Sequence, residues 1–422
     1  MLDSTHDAKR RSWLPAANTP ECDFPIQNLP FGVFETAAGA RGGVAIGDSI
    51  VDLTATSRAR LFTGNAAGAA AAAAGPTLNP LLALGNSHAR ELRRQLSDAL
   101  AEDAPVAARE AVRACLVPMR DATMLLPARI DAFTDFLCSL DHTLRMGNGN
   151  LPPAFKTLPI AYNARASSVV VSGRPVRRPN GYSRAGDGAP SFGPEPWLDF
   201  ELELGAFIGP GNALGDAIAI VDAEQHLFGV CLLNDWSARR IQFFESQPLG
   251  PFLGKSFCTS IAPWIVTTDA LAPFRVPESP GAFDIHLDVR LQTAEMRARA
   301  EEPHVIASTN FRGMYWTFAQ MIAHHTSNGC NLRPGDLLGS GTTSGPTDAS
   351  RACLAEITER GKSPLTLPNG QRRAWLDDGD EVIFRGRANR DGYVSIGFGE
   401  CRAVVEPSLA RSVGAARQPS GG

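Results

Sequence analysis

Hydrophobic and polar positions alternate in short runs along most of this chain. Gly32–Phe34 and Gly43–Ile46 are two apolar-rich runs joined by a Gly-rich turn, which predicts a hairpin. Ser49–Leu53 predicts a third short strand. Ala66–Ala74 is nearly all alanine and reads either as a helix, from alanine's propensity, or as a low-complexity surface insertion. Asn86–Leu100 predicts a helix with Ser87 as its N-cap, because Leu92, Leu96 and Leu100 recur at four-residue steps. Val106–Arg113 continues the helical pattern. Beyond Leu116 the pattern turns to strands. Ser167–Ser172, Leu198–Ile208 and Phe283–Leu291 are β-branched or alternate, and Cys353–Thr358, Trp375–Leu376, Asp380–Arg385 and Val394–Phe398 read as further strands. Met314–Ser327 is the clearest helix, stopped by Asn328-Gly329.

Many strands with few helices predict a β-rich α+β protein. Residues 1–12 read as a disordered tail, 13–116 as a small α+β domain, 117–408 as a larger strand-dominated domain, and 409–422 as a second disordered tail. Composition agrees: 44% of residues are hydrophobic and 20% charged, with 40 Gly and 31 Pro marking many turns. A formal net charge of −4 gives no reason to expect nucleic acid or an anionic membrane as partner. No apolar run approaches the ~20 residues of a membrane span, and the N-terminus lacks the apolar core of a signal peptide, so a cytoplasmic protein is expected. Eight cysteines occur without a C-x-x-C pair, which predicts buried reduced thiols and no zinc site.

The candidate chemistry is carboxylate-rich. Glu201 and Glu203, two apart on a predicted strand, share a face and repel each other. A cation would relieve that repulsion, although a solvent-facing edge would also tolerate it. Asp135 lies between Phe133 and Phe136, and Asp235 ends the apolar run GVCLLN; acids so placed need partners. Three or four such carboxylates without Cys or His select a hard divalent ion, Ca²⁺ or Mg²⁺. Nothing in the spacing itself brings Asp135, Glu201 and Glu203 next to Asp235. His142, seven residues after Asp135, is either a general base or a structural histidine. His324 and His325, adjacent on a predicted helix, read as packing residues. No G-x-S-x-G nucleophile elbow or complete G-x-G-x-x-G occurs. Arg239 and Gln242 share a face if residues 237–245 turn helically. Lys255, in GPFLGKSF, is either a surface residue or a partly buried cation facing the acids.

The segments TDFLCSLDH, LPIAYNARASSVVVSG, ELELGAFIGPGN, LLNDWSARRIQFFESQPLGPFLGKSF, NLRPGDLLGSGTTSGP and DGDEVIFRG…GYVSIGFGEC resemble the fumarylacetoacetase family. FPIQNLPFGVF and GVAIGDSIVDL resemble that family's N-terminal domain, so the resemblance spans Trp13 to Val405. It implies a small N-terminal β-barrel-like domain, a large C-terminal mixed β-sandwich roll, and a homodimer. It also implies hydrolysis of the C–C bond of a β-diketo acid, 4-fumarylacetoacetate, to fumarate and acetoacetate, the last step of tyrosine and phenylalanine breakdown. By resemblance, Asp135, Glu201, Glu203 and Asp235 bind Ca²⁺ or Mg²⁺, and His142 is the base, oriented by Glu356. Arg239, Gln242 and Lys255 stabilise the oxyanion and the departing carbanion; Tyr162 and Thr342 contact substrate; Lys255, Thr259 and Asp235 lie near a second, structural cation. The implied chemistry needs no organic cofactor. The chain departs from the family at Leu137 and Ser246, each in place of a Tyr, and in a shorter loop after His142. There Lys156 is a candidate replacement for a missing positive charge. A related β-diketone hydrolase of aromatic degradation, or a non-catalytic binding member of the family, are the alternative readings.

Overall fold

Polar contacts between segments far apart in sequence set the start of the chain. The computed structural model describes residues 2–409 except 187 and 278. The expected tail over residues 1–12 is instead docked. Asp3 caps a single 3-10 turn, Ser4–His6, whose Thr5 and His6 are buried, and His6 Nε2 lies 2.9 Å from the Asp269 carbonyl. The fully buried Arg93 pairs with Asp269 at 3.1 Å and reaches Thr5. Among its described residues the segment has no apolar anchor; its anchors are polar and long-range. Apart from residue 409, the tail expected over 409–422 lies outside the described residues.

The N-terminal sheet has five antiparallel strands, in the order Leu116–Pro118, Ser49–Asp52, Gly39–Ile46, Phe31–Thr36, Thr123–Leu125. Its last two strands in sequence lie at opposite edges, so a boundary at 116 cuts through this sheet. The alanine run is the helix Gly64–Ala73, with Ala66, Ala69, Ala70 and Ala73 buried. Small side chains let it approach the sheet: a Cβ on Gly42 would lie 1.9 Å from the Ala73 carbonyl oxygen. The helix Asn86–Leu100 buries Leu92, Leu96 and Leu100 as its periodicity predicts, but Gly85 at φ +80° takes the N-cap place expected of Ser87.

The larger domain holds a mixed sheet of eight strands. Its path runs Ala161–Ala164, Phe133–Phe136, Leu337–Gly339, Leu202–Ile208, Leu227–Asp235, Thr259–Ile261, Val169–Val171, with Val266–Thr267 also pairing to Leu227–Asp235. A second, five-stranded sheet packs on it in the order His304–Asn310, His286–Gln292, Glu381–Ala388, Ile396–Glu406, Val176–Arg177. Phe200 meets Phe384 edge-on at 5.8 Å across the two layers. The molecule is thus the β-rich α+β protein that the pattern predicts.

Three expected elements change. Cys353–Thr358 is not a strand: Leu354–Ile357 is a short helix, because its first N–H groups are taken by the carboxylate of Asp199. Trp375–Leu376 is not a strand; Trp375 stacks on Trp197 with centroids 5.4 Å apart. The helix expected from Met314 is Phe318–Thr326, because the Thr317–Gln320 capping box starts it there. All eight cysteines are unpaired and six are buried. Among the described residues no helix is long and apolar enough to cross a membrane.

Candidate active site

The sheet brings the acids together by register. Asp135 stands opposite Tyr162 on one side and Gly339 on the other. Asp235 stands opposite Thr259. Glu203 is the second residue of the neighbouring strand Leu202–Ile208 and pairs with Leu233, while Glu201 lies just before that strand. One carboxylate oxygen from each of Asp135, Glu201, Glu203 and Asp235 lies within 4.8 Å of the others, and all four residues are buried. The face carrying Glu201 and Glu203 therefore turns inward, where alternation alone would also have allowed a wet edge.

Two cations answer these four acids. Lys255 Nζ donates to Glu201 Oε2 at 2.5 Å and to Asp235 Oδ2 at 2.6 Å. Arg239 Nη1 pairs with Glu201 Oε1 at 2.7 Å. Burial works to raise the Glu201 carboxyl, but Lys255 and Arg239 hold it below the usual carboxylate range. Asp135 and Glu203 have no such partner. Burial, then the neighbouring carboxylates, push both well above that range, and Asp135 Oδ1 and Glu203 Oε1 are buried without a hydrogen-bond partner. Four carboxylates against two cations, with two orphaned oxygens, fit a hard divalent ion. Gly339 opens the space: a Cβ there would lie 2.4 Å from Asp135 Oδ1 and 3.0 Å from Glu203 Oε2.

Beside the acids, the short helix Leu140–Met146 presents His142, its N-terminus capped by Ser139. His142 Nδ1 lies 2.6 Å from Glu356 Oε1, which also accepts from Ser344 Oγ at 2.6 Å. Arg145 donates to Glu356 Oε2 at 2.9 Å. Burial works to raise the Glu356 carboxyl, yet the His142 imidazole and the hydrogen bonds from His142, Ser344 and Arg145 bring it down to about 2. With Nδ1 engaged, Nε2 is the nitrogen left to accept a proton.

The remaining sequence candidates fall around this frame. Tyr162 donates to Asp235 Oδ2 at 3.0 Å and Thr259 to Asp235 Oδ1 at 3.2 Å. Thr342 is buried on the loop whose Gly341 N–H donates to Glu203 Oε2 at 2.9 Å. Arg239 and Gln242 share a helical face and bond to each other at 3.3 Å. Because Lys255 bonds both carboxylates directly, its contacts lend no support to a second cation beside it. Ser246 ends that helix and turns its hydroxyl back onto the Gln242 carbonyl. Lys156 is exposed and makes no hydrogen bond or ion pair among the described residues.

Asp199 escapes the sequence reading. Fully buried, it accepts from Arg239 Nε at 2.8 Å and from the N–H groups of Leu354 and Ala355 at 2.7 and 3.0 Å. One carboxylate so anchors both the arginine of the acid cluster and the helix that carries Glu356. The D-x-E-x-E spacing of Asp199, Glu201 and Glu203 is the signal that could have pointed to it.

Residues 131–406 match the family described as Fumarylacetoacetate (FAA) hydrolase C-terminal, and residues 27–127 the family described as Fumarylacetoacetase N-terminal. The chain is 45% identical to the fumarylacetoacetase of Oryza sativa subsp. japonica over 428 residues, covering 94% of this chain and 98% of the relative. It is 44% identical to that of Homo sapiens over 427 residues, covering 95% and 100%. The solved fumarylacetoacetate hydrolase from psychrophilic Exiguobacterium antarcticum shares the fold, with a TM-score of 0.51 at 18% identity over 90% of this chain and 99% of that one.

The depressed Glu356 carboxyl links stability to pH. Its folded value lies below its ordinary 4.5, so its contribution is complete above that pH and is lost as pH falls toward about 2. Glu356→Gln should therefore lose on the order of 3 kcal/mol at neutral pH, with the gap to wild type narrowing near pH ~3. Urea unfolding at both pH values checks this; a loss independent of pH contradicts it.

Proposed function

The chain belongs to the fumarylacetoacetase family, and from its site we propose that it hydrolyses the C–C bond of 4-fumarylacetoacetate to fumarate and acetoacetate, the last step of tyrosine and phenylalanine breakdown. The observation that carries this reading is a buried His142–Glu356 pair beside four buried carboxylates with unspent oxygens. Asp135, Glu201, Glu203 and Asp235 would hold Ca²⁺ or Mg²⁺. Such an ion supplies Lewis acidity toward a carbonyl oxygen and offsets the acids' charge.

The chain's own groups then do the rest. Glu356 fixes His142, whose Nε2 takes a proton from water as the water oxygen adds to the ketone carbon. Arg239, Gln242 and Lys255 stabilise the oxyanion that forms; removing one such donor typically costs about 10²–10³ in rate. Collapse of the oxyanion breaks the C–C bond. The electron pair leaves on carbon as the enolate of acetoacetate, and the proton held by His142 returns to that carbon. Tyr162 and Thr342 flank the space in which the substrate sits. Nothing in these steps calls for an organic cofactor.

Leu137, Ser246 and the short loop after His142 favour one second reading, a neighbouring β-diketo acid as the preferred substrate. Loss of fumarylacetoacetate, measured beside a panel of other 2,4-dioxo acids, should give the highest kcat/KM for fumarylacetoacetate, and His142→Ala should lower kcat about 10²–10⁴-fold while folding normally. A different dioxo acid in first place would move the substrate assignment; near-normal turnover by His142→Ala would remove it as the base.

A homodimer is part of the same reading. Phe243, Phe244, Leu249, Phe252 and Leu253 are all exposed on the segment that carries Arg239 and Gln242, an apolar patch of the kind a second copy covers. Sedimentation should find a dimer, and Phe252→Asp with Leu249→Asp should shift it toward monomer. A wild-type chain that stays monomeric at micromolar concentration contradicts this.

A further inference from the structure

The chemistry so far leaves the guanidinium of Arg145 without a part. Arg145 lies three residues after His142 on one short helix, so both side chains point to the same side. They divide one carboxylate between them. His142 faces Oε1 of Glu356 at 2.6 Å, and Arg145 Nη1 donates to Oε2 at 2.9 Å. Arg145 Nη2 is fixed in turn by the Gly345 carbonyl at 2.8 Å. The Glu356 side chain has no solvent exposure.

A buried carboxylate needs a compensating charge. Were His142 the sole group to supply it, the pair would be most stable as imidazolium and carboxylate. An imidazole with protons on both nitrogens cannot take one from water. A guanidinium is always charged. On the second oxygen it meets the need for charge and opposes another positive charge nearby. We propose that Arg145 is a positioning residue: it balances and orients Glu356 so that His142 enters the reaction unprotonated, with Nε2 free. This rests on the reading of His142 as the base.

The other groups facing the pair do not take this part. Ser344 and Cys353 approach Oε1, and the Cys353 thiol, pushed well up by burial, stays neutral. Glu201 of the acid cluster is held by Lys255 and Arg239. Behind Glu356 a cavity of about 260 Å³ is bounded by Arg145, Arg351, Glu359, Arg360 and Lys362. Arg351 bonds the Glu356 main-chain carbonyl and Asp348, and lies 3.8 Å from Glu359. Arg360 bonds the Met146 carbonyl at 2.6 Å. Among the described residues Arg145 alone donates to Oε2.

The test compares wild type, Arg145→Gln and Arg145→Lys by kcat and kcat/KM from about pH 5 to 10. In Arg145→Gln the acid limb should move up by about one pH unit, which is tenfold in proton affinity, so activity falls about tenfold below the limb and recovers above it. KM should change less than about twofold, and Arg145→Lys should keep the limb near its wild-type place. A loss uniform across pH, or an unmoved limb, overturns the proposal. A second readout does not need the reaction: the C2–H proton resonance of His142, assigned by its absence in His142→Asn. It should titrate at higher pH in Arg145→Gln than in wild type, and an identical midpoint overturns the proposal. If wild type shows no hydrolysis of fumarylacetoacetate, the functional reading fails, while the resonance still decides the part played by Arg145.

Discussion

Four buried carboxylates gathered at one sheet set the terms for the rest of this molecule. Like charges out of water repel strongly, and each needs a partner. The sheet register forces the acids together, because Asp135 pairs beside Gly339 and Asp235 beside Thr259. Lys255 and Arg239 answer part of that charge, which explains why two long cationic side chains are themselves buried. The uncompensated remainder lies at Asp135 and Glu203, on either side of Gly339, where a Cβ would crowd both carboxylates. A site of this kind is unfavourable to fold around unless it binds something positive.

The two halves of the site share their supports. Asp199 holds Arg239 on the acid side and the N-terminus of the Glu356 helix on the other. The loop after Leu337–Gly339 does the same with its backbone and side chains: Gly341 reaches Glu203, and Ser344 reaches Glu356. At Gly341 the φ of +73° and a Cβ clash with the Phe136 carbonyl leave room for no other residue. Through these links the base and the acid cluster are fixed relative to one another, as catalysis by positioning requires.

Much of this was legible in the chain. Period-2 alternation and turn residues are local signals, and they carried the β-rich fold and the helix with Leu92, Leu96 and Leu100. Glu201 and Glu203 were visible as a pair because i and i+2 share a strand face. What failed was long-range. ACLAEI is an apolar run of the kind a buried strand carries, and the Asp199 cap, 155 residues away in sequence, makes it helical. Residues 1–12 have no apolar periodicity to announce that Thr5 and His6 are buried by Arg93 and Asp269. The joining of Asp135 to Asp235 came from resemblance, since strand order cannot be read from spacing. Asp199 and Arg145 were missed although each stands at a readable offset, two before Glu201 and three after His142.

The four acids are proposed to form one divalent-cation site. Calorimetric titration of Ca²⁺ or Mg²⁺ into chelator-stripped protein tests it most directly, with wild type set against Asp135→Asn and Glu203→Gln. One ion should bind per chain in wild type, and binding should be lost in the folded variants. No binding to wild type, or binding left unchanged by both substitutions, would contradict it.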